Sequence, residues 1–194
     1  MKKTLFYFLS ILALSFTSCK KDKEEAFGTH TMTSMIVVKQ TGTTAVKNYS
    51  SKEADVAASI KEDGRMYFLI DGRVQGVWEQ LDLKVKNLNA DHKGIYTLQS
   101  KSNMNADVDV SYYRYVEAGT ITNLYKSSET NLEGSIEITE STKKGKYHRI
   151  SGSYRVVLKN VKNPDKNAAT ATDADNSDVT ISGTFKDAWL VLPK

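Results

Sequence analysis

Apolar and polar residues alternate with a period of two along most of this chain, the pattern of strands that bury one face and wet the other. It is clearest where Leu81, Leu83 and Val85 interleave with Asp82, Lys84 and Lys86. The same alternation predicts strands over 35–39, 65–70, 73–77, 94–99, 108–116, 120–125 and 132–140. Asp71-Gly72, a dipeptide that favours tight hairpins, is expected to turn the chain between the second and third of these. After a polar turn at Lys143-Lys144-Gly145-Lys146, Ile150, Gly152, Tyr154, Val156 and Leu158 share one face of a long strand. A closing strand presents Val179, Ile181, Gly183 and Phe185. Trp189, Val191 and Pro193 follow on its core face after a bulge near 186–188.

Two departures from the alternation stand out. Residues 52–61, with Ser50 or Ser51 as cap and Ala54, Ala57, Ala58 and Ile60 on one side, read as a surface helix. Residues 163–178 have no period and no bulky apolar side chain, so they read as a loop. Ile150-Ser151-Gly152-Ser153-Tyr154 and Ile181-Ser182-Gly183-Thr184-Phe185 repeat one design, in which an inward glycine leaves room for an aromatic ring to cross it. Many short strands with almost no helix predict an all-β fold. A single antiparallel β-sandwich or β-barrel of about 8–10 strands is expected, with a lipocalin-like barrel as the alternative.

The beginning of the chain has a different character. Lys2 and Lys3 precede a charge-free run from Leu5 to Phe16, too short to span a bilayer as a helix and of the length of a signal peptide core. Cys19, the single cysteine, follows at once, which excludes an intrachain disulfide and suits lipidation after cleavage. This divides the chain into a signal peptide (1–18), a lipidated cysteine with a charged tether (19–33) and a β-domain (34–194). The 27 basic and 23 acidic residues are interspersed, and loss of Lys2 and Lys3 brings them nearer balance, so no nucleic-acid partner is expected.

The leader resembles a bacterial lipobox with Phe16 in place of the usual leucine. Together with Gly134-Ser135-Ile136-Glu137-Ile138-Thr139-Glu140 and the two glycine-aromatic strands, it resembles a group of uncharacterised Bacteroidota lipoproteins. The resemblance covers the leader and residues 129–192. It implies an outer-membrane lipoprotein held by lipid on Cys19, on either the periplasmic leaflet or the cell surface, and carries no activity.

Candidate chemistry is sparse. His30, His92 and His148 have no metal-ligand spacing, and no nucleophile elbow occurs. Asp107 and Asp109 share a strand face, where Asp109 is placed to pair with a neighbouring lysine or arginine. Asp173, Asp175, Asn176 and Asp178 supply hard oxygens of the kind calcium takes, without the glycine and closing glutamate of an EF-hand. No cofactor is expected. The aromatic residues are more suggestive: Tyr113 and Tyr115 fall on one face of a strand, Tyr112 and Arg114 on the other, with Trp78 and Trp189 elsewhere. Rings beside polar groups stack on sugars or anchor protein partners. The leading expectation is a non-catalytic envelope module that binds a protein or glycan through these rings. The alternatives are a lipocalin-like carrier with a hollow apolar lumen and a glycan hydrolase using paired acids.

Overall fold

The computed structural model describes residues 28–74, 76–116, 122–144, 147–166 and 169–193. The leader, Cys19 and the tether up to Phe27 lie outside the described residues. Those described form eleven strands: β1 (Thr29–Val38), β2 (Thr44–Tyr49), β3 (Ala54–Ile60), β4 (Met66–Val74), β5 (Val77–Val85), β6 (Gly94–Thr97), β7 (Val108–Val116), β8 (Thr122–Lys126), β9 (Leu132–Lys144), β10 (Tyr147–Lys162) and β11 (Asn176–Val191). They make one curled sheet, an open half-barrel in the order β6-β9-β10-β11-β3-β4-β5-β7-β8. The all-β, mostly antiparallel class follows the alternation read above.

The sheet branches at β11. One edge of β11 pairs with β10, and the other pairs first with β1, which carries β2 beyond it. Farther along that second edge, Leu190 and Val191 run parallel to Ala58 and Ser59 of β3. A lone bridge between Leu98 and Val108 ties the β6 end to β7. The inward side chains of both arms, Met32, Ile36, Phe68, Ile70, Leu81, Leu83, Ile136 and Phe185 among them, form one buried cluster. Phe68 and Phe185 meet across it with ring centroids 5.7 Å apart, and full burial of each such side chain stabilises by about 1.5–3 kcal/mol.

Four local expectations are corrected. Residues 54–60 are strand β3, not helix: Ala54, Val56 and Ala58 are buried while Asp55 and Ala57 are exposed, a period of two that alanines had masked. The cap signal was real, but it serves one turn. Ser50 donates from its amide and Oγ to Glu53 Oε2 at 2.9 and 2.8 Å, and the amides of Glu53 and Ala54 return to Ser50 O before the strand begins. Asp71-Gly72 lies inside β4, and the chain reverses between Val74 and Val77 instead. Gly72 is there for close approach: a Cβ would sit 2.7 Å from Met32 Sδ and 2.9 Å from the Tyr49 ring.

The third correction concerns β11. The bulge near 186–188 is present, with Asp187 at a φ of 55° and a register shift opposite Ile150 and Gly152. It reverses the faces, so Ala188 and Leu190 point inward and Val191 is exposed. β1 also begins at Thr29, inside the polar stretch read as tether. Its inward positions there are His30, Met32 and Ser34, and two polar residues of three hid the alternation. The two glycine-aromatic motifs interlock as a reciprocal pair. Phe185 lies over Gly152 and Tyr154 over Gly183, each ring 2.8 Å from where a Cβ would stand.

Candidate functional site

The ladder between β5 and β7 carries a distinct constellation on each of its faces. On the inward face the alternation that buries Leu81, Leu83 and Val85 also buries Glu79, and the one that buries Val110 and Tyr112 buries Arg114. Antiparallel register sets Glu79 directly opposite Arg114. The Glu79 carboxylate is fully buried and accepts from Arg114 Nη1, Ser34 Oγ (2.9 Å), Tyr49 Oη (2.7 Å) and Tyr112 Oη (2.9 Å). Four donors on one carboxylate are what a buried charge needs. Burial pushes the Tyr49 phenol up to about 12 and that of Tyr112 well above its ordinary value, so both stay protonated and donate. Arg114 Nη2 continues outward to Asp165, on the turn that follows β10.

On the outward face Trp78 stands opposite Tyr115, with ring centroids 4.7 Å apart, and the Arg73 guanidinium lies 4.0 Å over the indole from β4. Trp78 Nε1 donates to Asp71 at 3.2 Å, and Tyr113 lies parallel to Tyr115 at 6.3 Å. Beside this ladder the outward surface opens into a groove of about 550 Å³. It is lined by the small side chains of Ala57, Ser59 and Ser111 and by the larger apolar ones of Tyr67, Leu69 and Val191. Asp82, Lys84 and Asp109 supply charge along the same groove, and Asp109 pairs with Lys86 at 3.2 Å.

The residues singled out by sequence are thus divided. Trp78, Tyr113 and Tyr115 come together outward. Tyr112 joins the Glu79 cluster. Trp189 stacks under Arg149 at 4.8 Å on another part of the sheet. Asp175 accepts from the Thr172 amide and hydroxyl, and Asp178 from the Asn160 amide and Lys39. Asp175 and Asp178 of the calcium candidate therefore serve separate partners. Among the described residues no group of three or more His, Cys, Asp or Glu side chains is arranged to hold a metal. Asp107 accepts from the Thr97 amide at 3.2 Å.

Sequence reasoning missed the Glu79 cluster and a histidine pair. His92 Nδ1 and His148 Nε2 share the Ser141 hydroxyl at 3.1 and 2.9 Å, with rings 5.4 Å apart. Burial, and then the neighbouring His148, holds the His92 pKa below its ordinary value. Among the described residues neither ring is paired with a carboxylate, so Ser141 lacks the orienting acid of a nucleophilic triad.

Residues 44–171, more than half of the chain, match the family model described as "Domain of unknown function (DUF6252)". The chain belongs to that family. No curated protein and no solved structure matches it.

Proposed function

We propose that this member of a family without an assigned activity is a non-catalytic, lipid-anchored protein of the bacterial outer membrane whose β-domain holds a partner on the outward face of β3, β4, β5 and β7. The observation that carries the reading is the open groove lined by Tyr67, Leu69 and Val191, with the Trp78–Tyr115 pair farther along the same two strands, β5 and β7. Strand faces turned to water are ordinarily polar, and a groove with apolar walls and a few fixed charges is the usual form of a recognition surface. An apolar carrier needs a lumen, whereas here the inward side chains pack on one another. A glycan hydrolase needs two acids facing across a cleft, and Asp109 is engaged with Lys86.

Anchoring rests on the leader and Cys19. Replacing Cys19 with alanine should move the protein from the membrane to the soluble fraction and abolish palmitate labelling. The binding face is tested on intact cells with a photo-crosslinking residue at Leu69, and with another at Val46, exposed on β2 away from the groove. Adducts at Leu69 and none at Val46 are expected. Their sensitivity to protease or to glycosidase identifies a protein or a glycan partner, and equal or absent adducts at the two positions overturn the reading.

A further inference from the structure

The guanidinium of Arg114 is only half used on one of its edges. Its side chain is 1 % exposed, Nη1 is held by Glu79, and Nη2 is held by Asp165 Oδ1. Nε is buried and has no hydrogen-bond partner among the described residues. Nε and Nη2 form the edge of the fork that a carboxylate meets with two parallel bonds, the geometry in which arginine binds carboxylates best. Asp165 makes one bond where that edge offers two.

Asp165 is not part of the barrel wall. It sits at the tip of a turn in which its amide donates to Asn163 Oδ1 at 2.9 Å and the Lys166 amide donates to Asn163 O at 3.0 Å. Its side chain is 37 % exposed. The turn opens the long connection between β10 and β11, and Asn123 Nδ2 holds its main chain through Pro164 O (2.9 Å) and Lys166 O (3.1 Å). Those bonds are neutral, and the bond from Arg114 to Asp165 adds a charge-assisted tie at the exposed tip of the turn. Glu79 already answers the charge of Arg114. Lys47 lies within electrostatic reach of the same site: its pKa is lowered by burial, then by Arg114, and raised by Asp165. The group on this edge is already a carboxylate, and with Glu79 answering the arginine's charge a second monoanion fits better than a phosphate dianion.

We propose that the Nε–Nη2 edge of Arg114 is a carboxylate-binding site, filled here by Asp165 as a tethered stand-in and taken by a carboxylate-bearing ligand when the Asn163–Lys166 turn lifts. The site is separate from the outward groove and does not depend on that groove having a partner.

The test uses the full chain, with acetate as the probe against chloride at equal ionic strength and neutral pH. In the wild-type protein, acetate should free the turn and speed tryptic cleavage after Lys166 several-fold. In an Asp165→Ala variant, cleavage should be fast in both salts, and a lowered thermal midpoint should be restored by acetate or formate but not by chloride. Should Asp165→Ala fail to fold, Asp165→Asn removes the charge and keeps the shape, with the same expectation. Wild-type cleavage that does not respond to acetate makes the Arg114–Asp165 contact a fixed strut and overturns the proposal. Phosphate acting where carboxylates do not overturns the ligand class.

Discussion

Trp78 and Glu79 are neighbours in sequence, as are Arg114 and Tyr115, yet one residue of each couple builds the inward face of the β5–β7 ladder and the other builds the outward face. Both faces combine rings, carboxylates and a guanidinium. Inward, the Glu79 carboxylate is sealed from water and accepts from donors on β1, β2 and β7, Arg114 among them. Outward, Arg73, Trp78 and Tyr115 stack side by side with water on hand. The chemistry is shared, and its consequences differ because burial removes the solvent that would replace a lost partner. A deleted neighbour inside leaves a charge with nothing to answer it, whereas outside it leaves a wetted ring.

The largest expected effect follows from that difference. Arg114→Met removes the cation paired with Glu79 among the described residues, and breaking a buried pair costs about 3–5 kcal/mol. At about 2–4 °C per kcal/mol for a domain of this size, the thermal midpoint should fall by roughly 10 °C, read by circular dichroism. The double variant Glu79→Leu/Arg114→Met should recover part of the loss, since the buried charge is gone while Ser34, Tyr49 and Tyr112 lose their acceptor. A double variant as unstable as the single one would show that Ser34, Tyr49 and Tyr112 depend on the carboxylate. Next in size is Gly183→Ala, whose Cβ would stand 2.0 Å from the Thr31 carbonyl oxygen of β1 and 2.5 Å from Tyr154 Oη, so the paired backbone has to shift as well as the ring. Overpacking of this kind costs about 1–3 kcal/mol. Adding Tyr154→Leu to Gly183→Ala should relieve part of it in a urea melt.

Half of the inward cluster was legible in the sequence. The parity of Leu81, Leu83 and Val85 extends back to Glu79, and that of Tyr112 to Arg114, so two opposite charges on core faces were there to be read. The rest was not, because Ser34 and Tyr49 reach Glu79 through the branching of the sheet at β11, and no local pattern encodes which strands become neighbours. The reciprocal glycine-aromatic pair was visible as a repeated motif, because there the packing partners are themselves the motif. Alanines failed as a guide to β3, since a small apolar residue satisfies a period of two and a helical period alike. The reversal of faces in β11 turned on one bulged residue, and a single slip moves every later side chain across the sheet.

Smaller effects are expected on the outward face. Trp78→Ala removes one cross-strand aromatic pair and one cation-π contact, each on the order of 0.5–1 kcal/mol at such a site. The midpoint should move by only a few degrees. Tyr67→Ala with Leu69→Ser should leave folding intact while abolishing adducts from a photo-crosslinker placed at Val191, which is 60 % exposed at the wall of the groove. A collapse in stability from either variant would erase the contrast between the two faces, because it would mean that the outward residues also hold the fold.

The smallest effect is a pH dependence, and it extends the contrast to a third place where polar groups are sequestered. His92 and His148 share one hydroxyl, which can accept from both rings, so protonation of His92 is opposed by burial and charge and not by a lost hydrogen bond. The His92 pKa is held down by burial and then by His148, with Asp91 opposing; that of buried His30 is held down by burial, with Asp55 opposing. Both groups therefore bind protons less readily folded than unfolded. As pH falls below about 6.5 the unfolded chain takes up protons first, so their contribution is complete above that value and diminishes on acidification. Thermal melts between neutral pH and about pH 5 should show the midpoint declining by a few degrees, over the range in which histidine titrates. In His92→Gln the amide keeps a hydrogen bond to Ser141 and has no charge to gain, so the slope should be shallower while the neutral-pH midpoint is nearly kept. An unchanged slope in that variant would assign the decline to His30 alone, and the same melts on His30→Gln would then have to flatten it.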